Sequence, residues 1–304
     1  MQDRRSPRLS RRQLLGGLAW LAAPPLLRPL AAAAHRRTIP ASGETVPAVG
    51  MGTWITFNVG NDTALRNERT EVLRAFFEHG GGMIDSSPMY GSSEAVVGYG
   101  LERLGYPSGL FSATKVWSWT GGGEEQIAES LDLWGLSRLD LEQVHNLVDW
   151  QSHLPMLREQ REAGRIRYIG VTTSHGRRHA ELERIMRREP LDFVQLTYNI
   201  LDREAEERLL PLAADRGIAV IANRPFRRKA LIRRFEGRPL PDWAGEISVS
   251  NWPQFLLKFI ISHPVVTCAI PATTRVDHMR ENMGALDGPL PDAELRARMA
   301  RYVS

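Results

Sequence analysis

Four residues of this sequence have the chemical types that a proton-transfer site needs, and each stands at or just beyond the end of a short apolar run. They are Asp85, Tyr90, Lys115 and His145. A phenol has an ordinary pKa of about 10, and a neighbouring ammonium lowers that pKa because it favours the phenolate. Lys115 could supply this charge while Asp85 holds the ammonium in place, and His145 could orient a carbonyl oxygen or relay the proton. The set predicts that Tyr90 protonates a substrate carbonyl.

Each of the four residues also has an ordinary structural explanation when it is taken alone. Asp85 could cap the N-terminus of a helix, and Lys115 could end a strand in solvent. His145 and Tyr90 could be hydrogen-bonded or packed loop residues. Together, at the ends of three successive apolar runs and in the loop between two of them, the four favour a common site.

The segments that carry these residues alternate between short apolar runs and stretches with apolar residues at helical spacing, which predicts a repeated strand and helix unit. The eight runs cover 49–53, 82–85, 111–115, 141–145, 168–171, 193–197, 218–222 and 266–270. Eight such units in about 250 residues predict an α/β fold, a single-domain (β/α)8 TIM barrel whose active site lies at the carboxyl ends of the strands.

Gly43 and Pro47 predict a short N-terminal hairpin before the first strand. A doubly wound sheet is the alternative, but the glycines of "GGGMIDSS" precede the strand, whereas a dinucleotide fingerprint follows it.

The first 34 residues differ from the rest in charge and composition. They contain six arginines and one aspartate, which gives this segment a charge of +5. The whole chain has a net charge of +4, so the remaining 270 residues carry −1. A nearly neutral body gives no support for a nucleic-acid partner. The order of basic region, short apolar region and "AAAA" predicts a removable signal peptide at 1–34 and a barrel at 35–304, with no permanent membrane anchor.

Within this segment, the run from Ser10 to Leu15, "SRRQLL", resembles a bacterial twin-arginine export signal. The resemblance implies recognition by the export machinery, transport after folding and a periplasmic or exported location. The single cysteine, Cys268, excludes an internal disulfide, and the sequence shows no obvious set of metal ligands.

Seven segments resemble those of the aldo-keto reductase family, in the same order, and the likeness covers nearly all of 37–290. Two of them hold most of the candidate site: the segment at 85–94, which begins with Asp85 and continues as "PMYGSSE" around Tyr90, and "TKVW", which contains Lys115. The others are "GMGTW" at 50–54, "VHN" with His145, "RYIGVTT" at 167–173, "VQLTYN" at 194–199 and "AIPATTRVDHMREN" at 269–282.

This resemblance implies a barrel that binds NADPH, or else NADH, across its top and reduces a small aldehyde or ketone, with the tyrosine as general acid. The cofactor carries the hydride, and the protein positions and polarises the carbonyl. The residues that the resemblance assigns to the cofactor are Gly52, Thr53, Trp54, Thr172, Thr173, Gln195, Asn223, Arg224, Thr273, Thr274, Arg275, Glu281 and Asn282.

The sequence departs from the family pattern at two cofactor positions. Asn223 stands where many members have an aromatic residue that stacks on the nicotinamide, so the stacking is either lost or supplied from elsewhere, by Trp117 or Phe226. Ala272 and His278 stand where NADP-preferring members often have lysine and arginine. Arg275 or Arg280 could replace them, because a guanidinium binds phosphate through two parallel hydrogen bonds.

Two other functions remain open from the sequence. The barrel could be a nicotinamide-nucleotide-binding sensor or partner subunit that does not catalyse a reaction, which the missing aromatic would favour. It could also be a lyase or hydrolase without a cofactor, in which Asp85 and His145 act as acid and base.

Overall fold

A computed structural model describes residues 34–119 and 121–303. The predicted export signal at 1–34 lies outside the described residues, apart from Ala34. None of the described helices is both long and apolar enough to cross a membrane.

Eight parallel strands form a sheet in which each strand pairs with the next one along the chain. Val49 forms a parallel bridge with Ala269, and the backbone N–H of Gly52 donates to the carbonyl of Pro271 at 3.0 Å, so the first strand meets the last. An antiparallel hairpin precedes this barrel. In the described chain the strands are β1 (Arg36–Thr38) and β2 (Thr45–Pro47) of the hairpin, then β3 (Met51–Gly52), β4 (Met83–Asp85), β5 (Phe111–Val116), β6 (Leu139–Val144), β7 (Ile166–Thr172), β8 (Phe193–Thr197), β9 (Ala219–Asn223) and β10 (Val266–Ala269).

Helices separate the barrel strands and pack outside them. In the described chain they are α1 (Thr63–Glu78), α2 (Ser93–Leu104), α3 (Gly123–Trp134), α4 (Trp150–Glu162), α5 (His179–Arg188), α6 (Leu209–Arg216), α7 (Ala230–Phe235), α8 (Trp252–Ile261), α9 (Val276–Met283) and α10 (Ala293–Val303). Short 3₁₀ turns also occur, and two of them, Pro88–Tyr90 and His145–Leu147, hold candidate site residues.

The apolar residues divide into two layers because strand side chains alternate between the two faces of the sheet. One layer fills the barrel interior and includes Phe111, Tyr168 and Phe193; the other lies between the strands and the helices. The hairpin contributes Ile39 and Val46 to the interior layer. The hairpin therefore closes the end of the barrel opposite the strand carboxyl ends, which leaves that other end open for chemistry.

These observations confirm the predicted (β/α)8 barrel and the N-terminal hairpin, and the doubly wound alternative is wrong. Each of the eight predicted runs overlaps a barrel strand. The predicted limits are wrong by up to two residues: β6 and β7 begin at Leu139 and Ile166, earlier than expected, and β3 is reduced to two residues.

Candidate active site

The centre of the site is a buried ion pair between neighbouring strands. Asp85 is the last residue of β4, and Lys115 lies near the end of β5 with its side chain fully enclosed. The ammonium donates to Asp85 Oδ2 at 2.7 Å and to the carbonyl of Ser86 at 2.5 Å. Burial alone lowers the pKa of Lys115, but the charges of Asp85 and Tyr90 and the bond to Asp85 raise it above its ordinary value. The lysine is therefore a fixed positive charge.

The second carboxylate oxygen of Asp85 is occupied by two glutamine side chains. Gln195 Nε2 donates to Asp85 Oδ1 at 2.8 Å, and Gln143 Nε2 donates to the same oxygen at 3.2 Å. With both oxygens engaged by protein donors and the side chain almost fully buried, the carboxylate is held against Lys115 rather than presented to a substrate. This arrangement argues against a cofactor-free mechanism in which Asp85 is the general base.

Tyr90 ends the 3₁₀ turn that follows β4, and this turn brings its ring back over the ion pair. The Lys115 ammonium lies 5.3 Å from the ring centroid. Burial raises the pKa of Tyr90, and the charge of Lys115 and its hydrogen bond to the phenol oppose that rise. The predicted effect of Lys115, which lowers this pKa, is confirmed. The predicted net shift of the Tyr90 pKa is wrong, because burial raises the pKa by more than Lys115 lowers it. The side chain therefore remains a phenol with a proton to donate.

His145 begins the turn after β6 and meets the Tyr90 ring edge to face, with ring centroids 5.7 Å apart. Burial, reinforced by the charge of Lys115, lowers the pKa of His145 well below its usual value, so the ring is neutral. Its Nδ1 lies 2.9 Å from Ser87 Oγ, and that hydroxyl oxygen already accepts from the backbone N–H of Met89. When the hydroxyl donates its hydrogen bond to Nδ1, that nitrogen is the acceptor and the ring's own proton is on Nε2.

The four predicted catalytic residues thus come together at one end of the barrel. Sequence reasoning missed three groups that hold them: Gln143, Ser87 and the carbonyl of Ser86. Gln143 lies two residues after Leu141 in β6, and this spacing indicated that it shares the inward face of that strand. No sequence signal indicated the contact between Ser87 and His145, which depends on how two loops from separate strands meet.

A family comparison accords with this arrangement. The family model described as "Aldo/keto reductase family" matches residues 48–298. The chain belongs to the aldo/keto reductase family. Across 271 residues it is 29% identical to the methylglyoxal reductase YeaE of Escherichia coli (strain K12), and the match covers 86% of this chain and 93% of the relative.

Another relative of this aldo/keto reductase, the NADH-specific methylglyoxal reductase of E. coli (strain K12), is 26% identical over 316 residues, covering 82% of this chain and 93% of its own. Among solved structures, an aldo/keto reductase from Klebsiella pneumoniae in complex with NADP and acetate is similar with a TM-score of 0.73. It is 26% identical and covers 86% of this chain and 93% of its own.

One polar group near the catalytic centre of this aldo/keto reductase is suited to bind the amide of a nicotinamide nucleotide. Thr173 Oγ1 is buried and has no hydrogen-bond partner among the described residues. A buried hydroxyl without a partner is costly, and a ligand amide would satisfy it. The hydroxyl of Thr172, which the resemblance also assigns to the cofactor, instead accepts from the backbone N–H of Asn146 at 2.9 Å.

Gln195 and Asn223 lie in the same region but are already hydrogen-bonded to protein groups. Asn223 Nδ2 donates to the Thr173 carbonyl at 2.8 Å and to Gln195 Oε1 at 3.3 Å. Asn223 Oδ1 accepts from Thr197 Oγ1 at 2.8 Å. Asn223 therefore links the neighbouring strands in the place where a stacking ring was expected. Contact between these two amides and the cofactor stays a prediction.

The predicted aromatic and basic groups form the rim of the barrel mouth. The guanidinium of Arg228 lies over the Trp54 ring at 4.2 Å from its centroid, which joins the loop after β3 to the loop after β9. Arg224 Nη1 lies 2.5 Å from His175 Nε2, which joins the latter loop to the loop after β7. Phe226, one proposed substitute for the stacking aromatic, packs against the outer apolar layer.

Two cofactor candidates at the end of β3 also support the catalytic loop. Thr53 Oγ1 donates to the Asp85 carbonyl at 3.0 Å. Gly52 pairs with Asp85 across β3 and β4. Both residues therefore lie directly beside the buried ion pair.

The candidates for the adenosine end of the cofactor follow β10. Arg275 is paired with Asp277, whereas Arg280 is exposed and its guanidinium forms no ion pair within the described chain. The other candidates here differ in their exposure: Thr273 and Asn282 are buried, Thr274 is exposed and Glu281 is half-buried.

Proposed function

We propose that this aldo/keto reductase reduces an aldehyde or ketone to an alcohol with NADPH, and less effectively with NADH. Tyr90 is the general acid, Lys115 and Asp85 tune it, and His145 orients the carbonyl. The observation that carries this proposal is the buried ion pair beneath a protonated phenol, with a neutral histidine against the same ring.

A bound reduced nicotinamide supplies the hydride that reaches the carbonyl carbon. The carbonyl oxygen then needs a proton, which Tyr90 Oη gives up. The phenolate that remains is stabilised by the Lys115 ammonium, whose own charge is held by Asp85. This stabilisation acts only once the proton has left, so it favours the transition state over the ground state.

His145 can assist because it is uncharged. An imidazolium beside Lys115 would add a second positive charge to a buried site, and burial together with that lysine opposes it. With its proton on Nε2, the neutral ring donates one hydrogen bond to the carbonyl oxygen. This bond would fix which lone pair of the oxygen faces the Tyr90 hydroxyl.

NADPH is preferred in this proposal because Arg280 is a guanidinium without an ion-pair partner in the described chain, near the expected position of the adenosine phosphate. The Klebsiella relative was solved with NADP, which supports the same choice. The NADH-specific E. coli relative shows that the preference differs between relatives.

The test is to follow nucleotide oxidation with a panel of aldehydes, using purified wild-type protein, Tyr90→Phe and Tyr106→Phe. Tyr106 is exposed, follows α2 and serves as the control for loss of a hydroxyl elsewhere. We expect Tyr90→Phe to lose about 10²–10⁴ of kcat, the range of general acid catalysis. Nucleotide binding, followed by fluorescence, should be unchanged.

Equal trace activity in wild type and Tyr90→Phe, with both binding nucleotide, would instead support the sensor hypothesis. A protein that binds neither NADPH nor NADH would contradict both functions.

A further inference from the structure

A hollow of about 400 Å³ lies beside the catalytic residues at the barrel mouth. Trp117 lines it and follows Lys115 by two positions, and Asn146 lines it and follows His145 directly. The hollow also reaches Thr173, the residue whose unpartnered hydroxyl fits the amide of a nicotinamide. Its volume is within the range of small-molecule sites, about 300–1,000 Å³.

Two tryptophans give this hollow apolar walls. The backbone N–H and carbonyl of Trp117 are both bonded to the Gln126 side chain at 2.8 Å, which fixes the start of its loop. Trp119 is 71% exposed. Neither indole ring stacks on another ring or cation in the described part of the chain. Planar faces of this kind bind aromatic groups, because stacking removes a large apolar area from water.

The charged groups of the hollow are all basic. Among the residues that the structure describes, Arg177 and Arg178 line it and no aspartate or glutamate does. Arg178 is committed to Glu181 and to the carbonyl of Asn146. Arg177 is exposed, and its guanidinium forms neither a hydrogen bond nor an ion pair with any described residue.

The histidine at the edge of the hollow reports the same excess of positive charge. Burial lowers the pKa of His175, and Arg224, Arg228 and Arg177 lower it further. Arg224 and Arg228 belong to the loop after β9, whereas Arg177 belongs to the loop after β7 and lines the same hollow as the two tryptophans. Part of the positive charge near His175 is therefore inside the hollow itself.

We propose that the substrate is an aromatic aldehyde or ketone bearing a carboxylate, with its ring between the Trp117 and Trp119 side chains and its carboxylate on Arg177. This inference rests on the proposed carbonyl reduction and narrows it to a substrate class. Arg177 selects among substrates and takes no part in the proton transfer.

The experiment compares kcat/KM for 4-carboxybenzaldehyde with that for benzaldehyde, using the ratio of the two in each variant so that the inherent reactivity of each aldehyde cancels. We expect Arg177→Ala to lower this ratio by about two- to fivefold, the effect of losing an exposed ion pair. Added salt should lower the wild-type ratio as well. Trp119→Leu should lower kcat/KM for both aromatic aldehydes relative to propanal.

Arg188→Ala is the matched control. Arg188 is exposed at the far end of α5, the helix that follows the same loop, and its removal changes the net charge equally. The ratio should stay at its wild-type value in this variant. An unchanged ratio in Arg177→Ala would overturn the inference. A raised KM for NADPH without a change in the ratio would also overturn it, because Arg177 would then bind the cofactor and not the substrate.

A binding measurement separates this inference from the proposed function. 4-(Hydroxymethyl)benzoate, the alcohol product, is titrated by calorimetry into wild type and Arg177→Ala in the presence of NADP. Weaker binding to Arg177→Ala supports the anion site even if no aldehyde is reduced. The lack of reduction would then refute only the proposed function. Equal affinity of the two proteins refutes the anion site whatever the activity.

Discussion

The ammonium of Lys115 has two short hydrogen bonds, and both acceptors belong to the segment that leads to Tyr90. The charge that stabilises a phenolate is therefore also the group that anchors the phenol's own loop. A buried ion pair contributes little net stability, but loss of one partner leaves the other charge uncompensated. Lys115 consequently has a structural and a chemical role, and a single substitution at Lys115 would alter both at once.

A double variant separates these two roles. Lys115→Met alone should lower the free energy of unfolding by about 3–5 kcal/mol, because the Asp85 carboxylate is left buried without its cation. Asp85→Asn with Lys115→Met should recover most of this loss, since the oxygen of the new amide can still accept from Gln143 and Gln195. Carbonyl reduction should be lost in both proteins. Chemical denaturation and initial rates measure the two effects, and recovered activity in the double variant would contradict the role given to Lys115.

Ser87 offers a test of how His145 is oriented. Ser87→Ala removes the group at Nδ1, so the ring proton is free to occupy either nitrogen and only part of the protein has it on Nε2. We expect kcat to fall by about tenfold with little change in KM for NADPH, and ¹⁵N NMR of the ring should show a mixture of tautomers. Ser87→Thr keeps the hydroxyl and should recover activity. A single Nε2–H tautomer in Ser87→Ala would show that the serine does not set it.

The residue types of the site were predictable from the sequence, but their partners were not. Asp85, Lys115 and His145 were identified because polar side chains end apolar runs, and strand carboxyl ends share one face of a barrel. The bond from Ser87 to His145 joins residues 58 positions apart, through two loops whose conformations the sequence pattern does not specify. The net direction of the Tyr90 pKa was missed for a similar reason, since it depends on how deeply the loop packs.

The packing of α2 against α3 positions the loop that carries Tyr90, because α2 begins three residues after it. Gly98 of α2 lies against the α3 backbone: a Cβ there would overlap the Leu133 carbonyl oxygen and lie 2.9 Å from its carbon. Backbone cannot move aside as a flexible side chain does, so a larger residue must separate the two helices.

Gly98→Ala should therefore destabilise the protein by about 1–3 kcal/mol, although alanine is the better helix former. Its kcat should also fall, because displacement of α2 moves the Tyr90 loop. Gly245→Ala is the control, since a Cβ at Gly245 meets no atom within 4 Å. Thermal unfolding and initial rates give both values. A Gly98→Ala protein as stable as Gly245→Ala would contradict the close approach of the helices.

The arrangement of strands was predicted better than their limits. Apolar runs flanked by helical periodicity were sufficient to find all eight barrel strands. The strand ends were predicted less accurately because pairing with neighbours decides them: β7 reaches back to Ile166 through its pairing with Leu139 of β6. The contact of Arg228 with Trp54 was not predicted, because it joins the loops after the first and seventh barrel strands.

The charge of the chain is divided between its first 34 residues, at +5, and the rest, at −1. All of the proposed catalytic and cofactor residues belong to the second part, which folds as one barrel. We propose that the first part is a twin-arginine export signal and that the barrel crosses the membrane folded, with its nucleotide bound. A soluble nicotinamide pool is not expected outside the cytoplasm, so the nucleotide would have to travel with the protein.

Replacement of Arg11 and Arg12 by lysine tests this export. The change keeps the charge, so a signal that acts only through charge would be unaffected, whereas a receptor that reads the arginine pair would fail to bind. We expect the Arg11→Lys/Arg12→Lys protein to stay in the cytoplasm with full activity, and the wild type to be recovered outside it with nucleotide bound. Arg4→Lys/Arg5→Lys, which alters a neighbouring pair equally, should be exported normally. Export of both variants alike would remove the arginine pair as the signal, and exported wild-type protein that neither contains nor binds nucleotide would refute transport with the cofactor.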